Sequence, residues 1–288
     1  MEVFENTKVC AVIGNPVAHS LSPRIQNAAF QHLKLNYVYV AFNVSRKNLE
    51  SALQGIRALG IHGINVTMPL KTQILPHLDM LDPNAERIGA VNTVLNKEGI
   101  LIGYNTDAFG SASALREHNE YPRNKRLVIL GSGGAARAVS FALAKDSIQT
   151  VILNRTVEKA RVLAEELKKL FGEKIRYAKL NQRNLKKEVK DADILINATP
   201  IGMYPSANKT PVNQELLRTG LTVFDLVYNP PETRLLREAK AVGAPTIGGA
   251  VMLVHQAAAS FEIWTGKKAP IGVMMKACQE GIRELGWK

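Results

Sequence analysis

A glycine-rich segment near the middle of the chain restricts the fold more than any other feature of the sequence. Residues 128–137, VILGSGGAAR, place the pattern G-x-G-x-x-A directly after an apolar strand-like run and at the start of a helix-like one. In that context Gly131 permits a tight turn, Gly133 lets the backbone approach a pyrophosphate, and Ala136 lets helix and strand pack closely. The segment predicts a dinucleotide-binding βα unit, and the alternative is an ordinary tight βα turn.

Strand-like runs alternate with helix-length segments on both sides of this loop, which predicts an α/β fold. From residue 126 onward the spacing is that of βαβ units, which form a parallel sheet. We expect an N-terminal α/β substrate-binding domain over residues 1–106 plus 250–288 and a Rossmann-like dinucleotide-binding domain over 107–249. The C-terminal helices are expected to return to the first domain, and residues 105–126 are interpreted as a polar, turn-rich connection.

Composition excludes several classes of protein. The 288 residues are 46% hydrophobic, which suits two globular domains, and the longest apolar runs are far shorter than the roughly 20 residues of a membrane helix. Cys10 and Cys278 are far apart and the histidines are not clustered, so neither a disulfide framework nor a metal site is predicted. The N-terminus lacks the layout of a secretion signal, which predicts a cytoplasmic protein.

The net charge of +12 raises the question of a nucleic-acid partner. The cationic residues are spread along helix-like segments such as 161–174 and 183–190, a distribution typical of solvated helix faces. We therefore expect no nucleic-acid partner and no membrane partner, although charge alone leaves a nucleic-acid-binding protein open. A basic surplus also attracts anionic small molecules.

The end of the strand after the glycine loop indicates which dinucleotide is bound. Asn154 stands roughly 20 residues after Gly131, at the position where an acidic residue would select NAD. No carboxylate occurs there, and Asn154, Arg155, Thr156 and Lys159 can instead donate to a 2′-phosphate. NADP is therefore predicted over NAD. The alternative is that Arg155 and Lys159 are surface cations at the start of a helix.

Polar clusters follow strand-like runs in the first half of the chain, where α/β proteins bind ligands. The clusters are NPVAHSLSP at 15–23, NVTMPLK at 65–71, GAVNT at 89–93 and GYNTD at 103–107. The clusters supply hydroxyls, amides, the ammonium of Lys71 and the carboxylate of Asp107, which suit a polyhydroxylated acid. Taken singly, Ser22-Pro23 also fits a helix N-cap, residues 105–107 a turn or cap, and Lys71 a surface charge.

Together the motifs resemble the shikimate dehydrogenase family over essentially the whole chain. The resemblance rests on eight motifs in family order: HSLSP (19–23), NVTMPLK (65–71), VNT (91–93), NTD (105–107), GSGGA (131–135), NRT (154–156), NATPIG (197–202) and MLVHQ (252–256). It implies reversible NADPH-dependent reduction of 3-dehydroshikimate to shikimate, a step towards the aromatic amino acids, by a monomer or homodimer.

The resemblance also implies roles for individual residues, with Lys71 and Asp107 as the catalytic pair. The chemistry agrees: a ketone that accepts hydride needs a proton donor at its oxygen, so Lys71 is predicted as general acid/base with Asp107 as its partner. The substrate carboxylate and hydroxyls would be bound by Ser20, Ser22, Thr67, Lys71, Asn92, Asp107, Tyr228 and Gln256. Of these, the two serines would hold the carboxylate and Tyr228 would lie near it. The cofactor would be bound by Gly131, Ser132, Gly133, Gly134, Ala135, Asn154, Arg155, Thr156, Lys159, Thr199, Gly202, Met203, Leu226 and Gly249.

Two positions depart from the family pattern. Ser132 stands where alanine is common, and Lys159 stands where many relatives carry a second arginine, so we expect a softer preference for NADP. The nearest alternative is a quinate/shikimate dehydrogenase that uses NAD or NADP, against which Arg155 argues. A non-catalytic NADP-binding regulator would be expected to lack Lys71 or Asp107, and a folate-linked dehydrogenase gives no reason for the paired serines.

Overall fold

The computed structural model describes residues 4–284, and the chain divides into two compact units. Of the described residues, the first unit contains 4–110 and 254–284, and the second contains Ser111–Leu253. Each unit has its own six-stranded sheet and its own apolar core.

Strands and helices alternate along most of the described chain. The strands are β1 (Lys8–Gly14), β2 (Tyr37–Asn43), β3 (Gly63–Val66), β4 (Met80–Leu81), β5 (Thr93–Lys97), β6 (Ile100–Tyr104), β7 (Arg126–Leu130), β8 (Gln149–Asn154), β9 (Ile175–Lys179), β10 (Ile194–Asn197), β11 (Thr222–Asp225) and β12 (Thr246–Ile247). The helices are α1 (Ser22–His32), α2 (Leu49–Ala58), α3 (Pro83–Ile88), α4 (Asp107–Glu117), α5 (Gly134–Leu143), α6 (Val157–Phe171), α7 (Gln182–Val189), α8 (Arg234–Ala241), α9 (Gly249–Thr265) and α10 (Ile271–Glu284).

The sheet of the first unit is mixed, with the strand order β2-β1-β3-β5-β6-β4. Strands β2, β1 and β3 run parallel, whereas β3, β5 and β6 are antiparallel neighbours. The β5–β6 hairpin turns at Glu98 and Gly99, whose φ angles of 54° and 88° suit the twist of a tight hairpin. The register places Asn65 beside Thr93 and Thr93 beside Tyr104. Three of the polar clusters therefore meet at one edge of this sheet.

The C-terminal helices pack against the first unit, as predicted. Gly281 of α10 lies so close to α1 that an added Cβ would stand 2.7 Å from the side chain of Leu21, and Arg24 forms an ion pair with Glu284. In α9, Trp264 donates a hydrogen bond from Nε1 to the carbonyl of Val94 at 3.0 Å. Helix α10 therefore packs against α1, and α9 packs against β5.

The sheet of the second unit is parallel at every pairing, with the order β12-β11-β10-β7-β8-β9. This is the doubly wound order of dinucleotide-binding folds, in which the direction of winding reverses between the two central strands, here β7 and β10. All four residues of β10 and of β11 are buried, as expected for strands covered on both faces. The predicted Rossmann-like sheet is confirmed.

The structure corrects one interpretation and excludes one alternative. Residues 105–126 contain α4 rather than only turns: the Asn105 side chain accepts a hydrogen bond from the Ala108 N–H at 3.3 Å, and Leu115 is fully buried. The sequence of α4 contains glycine and serine, which obscured its helical pattern. Ser22 is not an N-cap, because α1 begins at Ser22 and the capping position is Leu21.

The described residues contain neither a membrane-spanning helix nor a cluster of metal ligands. No helix within residues 4–284 combines the length and apolar character needed to cross a membrane. Nor do three or more His, Cys, Asp or Glu side chains in this range group closely enough to hold a metal ion. Cys10 and Cys278 are free and buried, and burial raises the pKa of both thiols.

Candidate active site

Backbone hydrogen bonds in the first unit join the polar clusters. The Val91 N–H donates to the carbonyl of Lys71 at 2.8 Å, and the Asn92 N–H donates to the carbonyl of Tyr104 at 3.1 Å. The Val66 N–H donates to the carbonyl of Asn92 at 2.8 Å. The segments that carry the predicted lysine, amide and carboxylate are therefore neighbours by virtue of the sheet register.

Lys71 and Asp107 form an ion pair at the edge of this sheet. Nζ of Lys71 lies 2.5 Å from Oδ2 of Asp107, and the two side chains are 18% and 5% exposed. Nδ2 of Asn92 donates to the other carboxylate oxygen, Oδ1, at 2.9 Å. Both oxygens of Asp107 are thus engaged, which holds the ammonium of Lys71 in place. Because the carboxylate is buried, solvent screens the pair less than it would an exposed one.

Gln256 joins the same group from α9. Its Oε1 lies 3.2 Å from Nδ2 of Asn92, and Gln256 is 7% exposed. The structure therefore brings together four of the predicted substrate residues, Lys71, Asn92, Asp107 and Gln256. Asn92 and Gln256 are buried amides, and Lys71 and Asp107 are a paired base and acid. Such a set can bind hydroxyl groups and exchange a proton with one of them.

The other predicted substrate residues lie apart from this group. Oγ of Ser20 accepts a hydrogen bond from the Ser22 N–H at 3.3 Å. Thr67 packs its methyl group against Gly14. Among residues 4–284, no hydrogen bond or ion pair joins these three side chains to Lys71, Asn92 or Asp107. Tyr228 belongs to the second unit, where it follows β11 and is half-buried.

Ser20 also lines a cleft in the first unit with a volume of about 290 Å³. Its other lining residues are Pro16, Val17, Ala18, Pro23, Ala41 and Asn43. The cleft lies at the ends of β1 and β2, beside the start of α1. A small polar ligand held by Ser20 has room there.

The glycine loop of the second unit has the geometry that phosphate binding requires. Gly131 has φ +110°, and a Cβ at this position would lie 2.9 Å from the carbonyl oxygen of Ala198. Gly133 caps α5 with extended backbone, and no atom lies within 4 Å of the place where its Cβ would be. Ala136 is fully buried. The N-terminus of α5 therefore opens onto free space, an arrangement that suits an anionic phosphate.

The end of β8 presents two cations that have no acidic partner among the described residues. Arg155 and Lys159 are exposed, whereas Arg161, further along α6, is paired with Glu158. Asn154 turns its Nδ2 to the carbonyl of Thr156 at 2.9 Å, which shapes the turn between them. The guanidinium of Arg155 and the ammonium of Lys159, at the end of the strand next to the glycine loop, suit the 2′-phosphate of NADP.

The predicted nicotinamide residues surround the ends of β10 and β11. The side chain of Asn197 accepts from the Thr199 hydroxyl at 2.7 Å, and its backbone carbonyl accepts from the Leu226 N–H at 3.0 Å. Gly249 lies against the backbone of Leu226. The Met203 N–H donates to the carbonyl of Pro200 at 3.1 Å, within the loop that follows Thr199.

Replacing Gly249 by alanine is expected to lower the free energy of unfolding by about 1–3 kcal/mol, because overpacking forces the backbone to move. The new Cβ would lie 2.4 Å from the carbonyl oxygen of Leu226. Urea unfolding measures the effect. Gly272→Ala is the matched control, since no atom lies within 4 Å of that Cβ. Equal stability of the two variants would contradict the close approach at Gly249.

A buried carboxylate at the end of β11, Asp225, was not predicted from the sequence. It accepts hydrogen bonds from the Thr233 hydroxyl at 2.7 Å, the Asn197 side chain at 2.9 Å and the Val227 N–H at 3.1 Å. Asp225 thereby joins the loop after β10 to the start of α8. The signal in the sequence that could have revealed Asp225 was a carboxylate at the end of an apolar strand. Burial raises its pKa to about 6, although the three hydrogen bonds oppose the rise.

Asp225 is expected to make stability depend on pH. Its pKa is about 6 in the folded protein against 3.8 for a free aspartate, so the folded state binds a proton more readily. Stability should therefore fall by about 3 kcal/mol as pH rises from about 4 to about 6. The free energy of unfolding, measured with urea at several pH values, should lack this part of the fall in Asp225→Asn. The control, Asp191→Asn, should keep it. An unchanged pH dependence in Asp225→Asn would refute the assignment.

The hydroxyls behind the Lys71–Asp107 pair were also missed as functional candidates. Thr93 and Thr106 lay within the polar clusters, and Ser260 lies four residues after Gln256 on the otherwise apolar α9. Residues four apart share a helix face, so this spacing was the signal that could have revealed Ser260.

Fold and site together define an α/β chain of the dinucleotide-binding class, and comparisons with known proteins specify the family. A family model described as "Shikimate dehydrogenase substrate binding domain" matches residues 12–94. One described as "Shikimate / quinate 5-dehydrogenase" matches residues 113–227. One described as "Shikimate 5'-dehydrogenase C-terminal domain" matches residues 249–279.

Individual relatives match over nearly the whole chain. A shikimate dehydrogenase (NADP(+)) of Methanopyrus kandleri is 50% identical over 286 residues, which cover 98% of this chain and 99% of the relative. A shikimate dehydrogenase solved in complex with NADP+ has a TM-score of 0.92 at 48% identity and covers 98% of each chain. A shikimate 5-dehydrogenase of Listeria monocytogenes, solved with shikimate and NAD, has a TM-score of 0.87 at 38% identity and covers 96% of this chain and 98% of that one. The chain belongs to the shikimate dehydrogenase family, which confirms the resemblance seen in its motifs.

Proposed function

We propose that the protein catalyses the reversible, NADP-dependent oxidation of shikimate to 3-dehydroshikimate. The observation that carries the proposal is the Lys71–Asp107 ion pair, with Nζ and Oδ2 2.5 Å apart and Asn92 bonded to the second carboxylate oxygen. Membership of the family supports the choice of substrate. Relatives that are identical to this chain at about half of their aligned residues are named shikimate dehydrogenases.

Lys71 exchanges the proton of the reacting oxygen. In the oxidation its amine takes the hydroxyl proton of the substrate, and in the reduction its ammonium returns that proton to the carbonyl oxygen as negative charge develops there. Asp107 holds the ammonium in position. NADP, when bound, supplies the redox chemistry by accepting the hydride at its nicotinamide ring.

The remaining residues bind and orient the two ligands. Asn92, Gln256 and Thr67 are assigned to the substrate hydroxyls. Ser20 and Ser22 are assigned to its carboxylate, with Tyr228 contributing there. On the cofactor, the glycine loop from Gly131 to Ala135 takes the pyrophosphate. The 2′-phosphate is assigned to Asn154, Arg155, Thr156 and Lys159, and the nicotinamide to Thr199, Met203, Leu226 and Gly249.

The preference for NADP rests on the absence of an acidic residue at the end of β8 and on the exposed cations Arg155 and Lys159, which have no acidic partner in the part of the chain that the structure describes. A carboxylate there would repel a 2′-phosphate, whereas these cations attract it. The relative solved with NAD shows why NAD must be tested alongside NADP. We further propose that the enzyme acts in the cytoplasm as a monomer or homodimer.

The test is to follow absorbance of the reduced nicotinamide while the purified protein receives shikimate or quinate, each with NADP or NAD. The highest kcat/KM is expected for shikimate with NADP. Faster turnover of quinate with NAD would replace the proposal with the quinate dehydrogenase alternative. Absence of turnover in all four pairings would overturn the enzymatic proposal and favour an NADP-binding regulator.

A further inference from the structure

Three buried hydroxyl groups converge directly behind the Lys71–Asp107 pair. Oγ1 of Thr93 lies 2.8 Å from Oγ of Ser260, and Oγ1 of Thr106 lies 3.1 Å from Ser260 and 3.2 Å from Thr93. They come from β5, from the residues before α4, and from α9. Thr93 and Ser260 are fully buried and Thr106 is 3% exposed. Burial of a hydroxyl costs free energy unless it is hydrogen-bonded, so this grouping is a built polar centre within an apolar fold.

The centre determines which way the amide of Asn92 points. The Thr106 backbone N–H can only donate, and it lies 2.7 Å from Oδ1 of Asn92. Hydroxyl oxygens of Thr93 and Thr106 lie 3.1 Å from the same Oδ1. The oxygen of Asn92 therefore faces these donors, and its Nδ2 must face Oδ1 of Asp107.

A second amide, Asn65, donates hydrogen bonds to the oxygens of this centre. Nδ2 of Asn65 lies 3.0 Å from Oγ1 of Thr93, 3.0 Å from Oγ of Ser260 and 3.1 Å from the carbonyl of Asn92. Oδ1 of Asn65 accepts from the Tyr39 hydroxyl at 2.6 Å. The two hydrogens on Nδ2 of Asn65 are shared among these three oxygens. The Ser260 hydroxyl lies within donating distance of Oγ1 of Thr93, at 2.8 Å, and of the carbonyl of Gln256, at 3.0 Å, and the Thr93 hydroxyl lies within donating distance of Oδ1 of Asn92, at 3.1 Å.

We propose that Thr93 and Ser260 are positioning residues for catalysis: they hold the Asn92 amide so that it fixes the Asp107 carboxylate, and through it Lys71. The proposal rests on the function proposed above. Among the described residues, Lys71 donates to Oδ2 of Asp107 and Asn92 donates to Oδ1. Rotation of the Asn92 amide would therefore release Oδ1 and let the carboxylate turn. Neither Thr93 nor Ser260 needs to touch substrate or cofactor for this role.

The test compares Thr93→Val, which keeps the shape and removes the hydroxyl, with Thr93→Ser, which keeps the hydroxyl and removes the methyl group. Loss of one buried hydrogen bond corresponds to a decrease in kcat of roughly 3- to 10-fold. We expect that decrease in Thr93→Val, with the KM for NADP unchanged because the centre lies in the unit that carries the substrate residues. Thr93→Ser should restore kcat to near that of the unsubstituted enzyme.

Ser260→Ala provides a second variant with a smaller change of shape, and it is expected to lower kcat in the same way. The matched control is Ser140→Ala, which removes a fully buried hydroxyl from α5 that has no hydrogen-bond partner within residues 4–284; its kcat should be unchanged. If Thr93→Val fails to fold, kcat of Ser260→Ala decides the outcome.

Unchanged kcat in folded Thr93→Val and Ser260→Ala would overturn the proposal, as would an equal decrease in Thr93→Ser, which would indicate a packing effect. The activity of the unsubstituted enzyme is measured first. If it does not oxidise shikimate, the proposed function itself fails. If it does and the variants match it, only the positioning role of Thr93 and Ser260 fails.

Discussion

Replacement of Lys71 by methionine is expected to lower kcat for shikimate oxidation by about 10²- to 10⁴-fold, the usual contribution of a positioned acid/base group. Methionine keeps the length of the side chain but cannot take or return a proton. The substitution leaves the Asp107 carboxylate, 5% exposed, without its counter-ion, which lowers stability, so folding of the variant is verified by circular dichroism before its kinetics are measured. Steady-state kinetics at saturating NADP measures the loss.

The control for this experiment is Lys47→Met, which removes an exposed lysine from a surface turn of the same unit. Its kcat should equal that of the unsubstituted enzyme. If Lys71→Met retained full kcat and only raised the KM for shikimate, Lys71 would be a binding residue and the acid/base assignment would be wrong.

Replacement of Arg155 by glutamine is expected to lower the preference for NADP over NAD, expressed as a ratio of kcat/KM, by about 10- to 100-fold. A hydrogen bond to a charged group contributes about 1.5–3 kcal/mol, and each 1.4 kcal/mol is about tenfold. The remaining cation, Lys159, is a point charge without the planar fork of arginine, so it should compensate only in part.

Arg161→Gln is the control for Arg155, because Arg161 is an arginine of the same region that is already paired with Glu158. It should leave the cofactor preference unchanged. Equal preference in Arg155→Gln and in the unsubstituted enzyme would mean that the 2′-phosphate is bound elsewhere, and would leave Arg155 as a surface cation at the start of α6.

Much of the fold was predictable because the relevant signals are local. The strands β3 (Gly63–Val66) and β7 (Arg126–Leu130) are short apolar runs bounded by polar or glycine residues, a signal that the local sequence itself contains. The β5–β6 hairpin was less visible, since it turns on Glu98-Gly99 rather than the Asn-Gly or Asp-Gly pair that usually marks such turns. Helix α4 depends on burial of Leu115 and on capping by Asn105, which are tertiary effects.

The candidate site shows the same division. Lys71 and Asp107 were expected from the resemblance of their motifs to the family, and hydride transfer gives a reason for a proton donor and a group to hold it; their catalytic role stays a prediction. Asp225 and Ser260 were not expected, because their significance arises from partners distant in the chain: Asp225 meets Asn197, and Ser260 meets Asn65 and Thr93. Sequence spacing alone does not specify such contacts between elements.

The most direct test of the central claim, hydride transfer between shikimate and NADP, follows the hydrogen itself. Shikimate carrying deuterium on the carbon that bears the reacting hydroxyl is oxidised with NADP, and the reduced cofactor is examined by proton NMR and mass spectrometry. One deuterium at carbon 4 of the nicotinamide ring for each molecule of NADPH formed is the predicted result. Reduced cofactor without deuterium, or no reduced cofactor with active-site residues intact, would contradict the account.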